Sequence, residues 1–92
     1  MASIIAHRVL SDLVTIAQSN ASDFDRQTRI ARRVEQFKSD IARSRHDAEV
    51  IRAIVEKVSS GLEVAASSRA LRVEQQSVLV VALQTLRRDR SC

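Results

Sequence analysis

Apolar residues in the middle of this chain recur at alternating steps of four and three. Ile30, Val34, Phe37, Ile41, Ser44, Ala48, Ile51, Val55, Val58 and Leu62 follow one another in this way, and only Ser44 and Ala48 are not large and apolar. A stripe of this period is the seam of a helix packed lengthwise on other helices. Neither Pro nor Gly interrupts the stretch before Gly61. The pattern therefore predicts one continuous second helix from Ser22 to Ser60, roughly 55 Å long at about 1.5 Å per residue.

The flanking segments are helical by the same reading. Ile5, Val9, Leu13 and Ile16, widened by Ala6, Leu10 and Ala17, form one face of a first helix from about Ser3 to Gln18. Ser19 to Ser22 is a polar break, Ser22 an N-cap, and Asp23 and Asp25 complement the positive end of the helix that follows. Gly61 reads as a left-handed C-cap, and Ser60-Gly61-Leu62-Glu63 as a capping box that opens a third helix over Leu62 to Arg88. Its second half, Val78 to Leu86, is apolar nearly all round and predicts a buried helix. Arg87, Arg88 and Arg90 suit its negative end.

The expectation is an all-α fold in one domain, 1–92, with helices short, long and long. The first helix covers only half of the second, which leaves apolar surface over. Self-association disposes of it, and an antiparallel homodimer built on the long helices, with a four-helix-like core, is the arrangement expected. A monomeric three-helix bundle with a bent second helix is the alternative.

Composition supports helices and narrows the function classes. There is one Gly and no Pro, too few turn-formers for an all-β fold. The single cysteine, Cys92, allows no intrachain disulfide. The segment Met1 to Leu10 is broken by His7 and Arg8, unlike a signal peptide. The longest uncharged run, Gln75 to Leu86, is too short for a bilayer span. A cytoplasmic protein with no membrane role is expected. His7 and His46 lack companions at ligand spacing, so no metal is expected. With one Gly there is no phosphate loop, and no nucleophile motif is present. No cofactor, no catalytic residue and no enzyme activity are expected.

Charge changes the picture. The net charge is +4 at a pI near 10.6, and the basic residues are almost all Arg, which grips phosphates and carboxylates bidentately. Between Arg26 and His46 seven basic residues stand against Glu35 and Asp40 alone. Arg29, Arg32, Arg33 and Arg43 fall opposite the seam. Lys38, Arg45 and Arg52 recur every seven residues along one flank. A solvated face with intrahelical ion pairs, such as Glu49 with Arg45 or Arg52, is one reading. Phosphate binding by a rigid basic rod is the other, with Arg29, Arg33, Lys38, Arg43, Arg45 and Arg52 as contacts. Double-stranded RNA is recognised by shape and backbone, and the lack of Tyr and Trp speaks against single strands, which need stacking.

Leu10-Ser11-Asp12 on the first helix, Arg32-Arg33 on the second, and Arg43 and Arg45 followed by Ile54-Val55-Glu56-Lys57 give residues 4–60 a resemblance to the small RNA-silencing suppressors of nodaviruses. The third helix is longer here than the corresponding element there. The resemblance implies a helical antiparallel dimer that lays paired helices on double-stranded RNA and shields it from cleavage. A small protein-interaction module with an acidic protein partner, such as a chaperone, secretion component or phage-encoded inhibitor, is the competing expectation.

Overall fold

The computed structural model describes residues 2–88, with side chains from 4 to 87. Arg90 and Cys92 lie outside the described residues. Four helices make up the chain: α1 Ala2–Gln18, α2 Asp23–Arg43, α3 Ala48–Ala66 and α4 Val73–Arg88. All regular structure among the described residues is helical. The architecture is an all-α bundle, but with four helices where the sequence pattern predicts three.

α1 ends and α2 begins where the sequence places them. Ser22 caps α2: its backbone is extended, and its Oγ accepts from the Asp25 N–H at 3.2 Å. Before it, the Ser19 N–H and Oγ both donate to the Ile16 carbonyl at the end of α1.

The predicted long helix does not exist. It breaks between Arg43 and Ala48 without Pro or Gly. Ser44 turns extended, and both its N–H (3.2 Å) and its Oγ (2.8 Å) donate to the Ile41 carbonyl, closing the last turn of α2. Asp47 is extended as well, and its carbonyl accepts the first hydrogen bond of α3 from Ile51 at 3.0 Å. Short polar side chains offer the backbone partners outside the helix. The heptad spacing carries on across this gap although the helix does not.

Gly61 is also not a cap. It lies inside α3 with a negative φ. Its missing side chain lets α1 come close, since a Cβ there would collide with the Leu10 side chain. α3 ends six residues later, at Ser67, whose Oγ and N–H return to the Glu63 carbonyl at 3.0 and 3.2 Å. The Gln75 side chain then reaches back to accept from the Arg72 N–H at 3.0 Å, half of a capping box that opens α4.

α1 and α4 pack on each other, and each of them packs on both α2 and α3. The sequential pair α2 and α3 stand diagonally across the bundle. Leu10 meets Gly61, and Val14 shares a groove with Val64 and Ala65, so α1 and α3 run parallel. The fully buried centre is Leu13, Ile30, Val34, Ile54, Val58, Leu62, Val78 and Leu79. Ile30, Val34, Phe37, Val58 and Leu62 of the predicted seam are buried. Ile41, Ile51 and Val55 are half-buried, and Ala48 is exposed. Ile54, which the heptad reading leaves off the seam, is fully buried. Four helices of 16 to 21 residues cover one another. The unequal lengths from which an antiparallel dimer is expected are therefore absent.

Candidate nucleic-acid interface

α2 is strongly amphipathic. One face buries Ile30, Val34 and Phe37. At about 100° per residue, Arg29, Arg32 and Arg43 fall within some 60° of one another on the opposite face and extend over about 21 Å. All three are exposed. Arg29 and Arg32 make no ion pair within the described residues. Arg43 leans on Ser39 Oγ at 3.2 Å and lies 3.8 Å from Asp40.

The other basic residues separate into different roles. Arg26 contributes to the local charge excess of the sequence but points inward. Its side chain pairs with Asp23 and donates to the Ser19 carbonyl at 3.1 Å, which ties the α1–α2 connection to α2. Its Nε is buried without a partner. Arg33 sits on the flank of α2 toward α1 and donates from Nε to Asp12 Oδ2 at 3.0 Å. Arg45 lies exposed in the α2–α3 connection.

Lys38 and Arg52 do not join this face. Lys38 is 3.4 Å from Glu35 and lines a groove on the other side of α2, with Phe37, Ile41, Ile51, Val55 and Leu86. Arg52 is exposed on α3, the helix diagonal to α2. The seven-residue spacing that links them in sequence loses its meaning once the helix breaks at Ser44.

The structure adds Arg8. It stands on α1 beside Arg33, Asp40 and His46, along a groove of about 270 Å³ floored by Ile5, Val9, Phe37 and Ile41. Arg8 is exposed. Its only signal in the sequence is that it lies four residues before Asp12, on the same face of α1. That becomes informative only when Asp12 is seen against Arg33. The basic face is thus a two-helix surface built from Arg8, Arg29, Arg32, Arg33 and Arg43, with Asp12 and Asp40 as counter-charges.

The described residues hold no group of three or more His, Cys, Asp or Glu arranged for a metal ion. No described helix is long and apolar enough to cross a membrane. No family model matches the sequence, and no curated protein or solved structure proves similar to it.

Proposed function

We propose that the chain binds double-stranded RNA by its phosphates, as a viral suppressor of RNA silencing of the nodavirus type. The observation that supports this is the outward triplet Arg29, Arg32 and Arg43 on one helix, with Arg8 of α1 beside Arg33 and Arg45 exposed in the connection that follows. Exposed arginines spaced along one helix suit the regular backbone of a duplex, where affinity comes from phosphate neutralisation. Lys38 and Arg52 have no part in this surface.

The test is a gel-shift with double-stranded RNA, single-stranded RNA and double-stranded DNA of equal length. Arg29→Gln with Arg32→Gln keeps helix propensity and removes two charges. Binding to the RNA duplex should fall tenfold or more, equally for unrelated sequences, and the salt dependence should flatten by about one unit per lost contact. Wild-type protein that binds no duplex at low salt rejects the reading.

A protein-interaction module is the second reading. It is favoured by the groove that Ile41, Ile51 and Val55 leave open on the other side of α2, next to Lys38.

A further inference from the structure

Two exposed surfaces of this bundle are uncharged over most of their length. The first is the outer side of α4. No ionisable residue occurs between Glu74 and Arg87, which are exposed at its two ends, and the uncharged exposed positions are Val73, Ser77, Val80, Val81 and Gln84. Val73 is 74% exposed, and Val80 and Val81 about 40%. The sequence suggests a helix buried all round here, but the bundle covers only one side of it. The second surface is a groove of about 530 Å³ between the parallel helices α1 and α3. Leu10, Val14, Ala65, Ala70 and Leu71 line it, Val64 forms one wall at 74% exposure, and its remaining lining positions are uncharged too. Gly61, with no side chain, contributes to its depth.

We propose that this groove receives the outer side of α4 from a second copy of the chain. Charge is the first argument. Each copy carries +4, so two copies repel, and they can approach at least cost where ions are fewest; Glu74 and Arg87 stand only at the ends of the α4 surface, paired with Arg72 and Glu63. The cores of protein interfaces are depleted of charged residues, and along the middle of this contact no ion has to be stripped of water. Shape is the second. Val73, Ser77, Val80 and Gln84, spaced by four, three and four, form a ridge of about 16 Å with Val81 beside it. The groove alongside Leu10 to Gln18 runs about 12 Å. A helical ridge laid between two helices is an ordinary packing.

Ridge and groove are different surfaces of the molecule. The contact is therefore head-to-tail, and each added copy leaves one ridge and one groove open. Such assemblies extend as chains, or close into rings if the rotation permits. Arg29, Arg32 and Arg43 belong to neither surface and stay available. The inference does not depend on RNA binding.

Sedimentation velocity on the full chain tests it. The mass should rise with concentration past that of a dimer, and more so with added salt, which screens the like charges. Val81→Glu spoils the ridge and Val64→Glu the groove. Both sites are exposed, so both variants should melt like the wild type, and each should be monomeric alone. Mixed in equal amounts they should form a dimer and stop there, because one intact ridge and one intact groove remain. A wild type that stays monomeric up to about 1 mM, the weak limit of specific association, overturns the proposal. So does a mixture that stays monomeric, or a variant that associates like the wild type.

Discussion

Arg33 Nε donates to Asp12 Oδ2 at 3.0 Å, joining α1 to α2 across 21 positions of sequence. A residue that helical periodicity assigns to the outward stripe thus ties two helices together. The pair is partly exposed, at 21% and 48% for the two side chains, so solvent limits its worth to below about 1 kcal/mol. Asp12→Asn retains an acceptor and removes the charge. Urea denaturation should show a loss smaller than that bound. Affinity for an RNA duplex should rise a few-fold, because a carboxylate no longer stands beside the phosphates. Weaker binding by this variant would mean that Arg33 needs its carboxylate to be held in place.

Ile54 and Ile51 distinguish the four-helix packing from a continuous heptad seam. Ile54 is fully buried, while Ile51 is half-buried beside an open groove. Ile54→Ala should cost about 2–5 kcal/mol, the usual range for emptying a core position. Ile51→Ala should cost far less, about 1 kcal/mol. Equilibrium unfolding that reversed the order would favour the continuous helix.

Gly61 has a helical backbone, so a side chain there meets no conformational penalty. Alanine gains about 1 kcal/mol of helix propensity and must push aside the flexible end of Leu10. These two effects should nearly cancel in thermal melts of Gly61→Ala. Gly61→Leu has no such offset and should lose about 1–3 kcal/mol through overpacking between α1 and α3.

Arg26 is the basic residue whose loss should hurt the fold most. Arg26→Ala leaves the Ser19 carbonyl and Asp23 without their partner, at a cost of about 1–3 kcal/mol. Arg26→Lys restores charge but not the fork that reaches both groups, so it should recover only part of the stability. Complete rescue by lysine in the same melts would show that charge alone matters here.

Helical class, the first helix, the Ser22 cap and most of the core are legible from local pattern alone. A 3.6-residue period, a short polar side chain before a helix, and the absence of Pro and Gly act over a few residues and need no partner. The breaks at Ser44–Asp47 and Ser67–Arg72 are a different matter. Serine and aspartate are tolerated inside helices and also stop them. The outcome depends on whether ending the helix buries more than continuing it. Here a turn at Ser44 carries α3 diagonally over the bundle and seats Ile54, Val58 and Leu62 against α1 and α4, which a straight rod could not do. The same local ambiguity made Gly61 look like a stop. Its real effect, close approach to Leu10, involves a residue 51 positions away. The basic site follows the same division. Sequence periodicity by itself marks α2 as the charged helix. Tertiary packing alone turned Arg26 inward, tied Arg33 to Asp12, brought Arg8 alongside and sent Lys38 and Arg52 elsewhere, because the direction of a long side chain is set by the neighbour it meets.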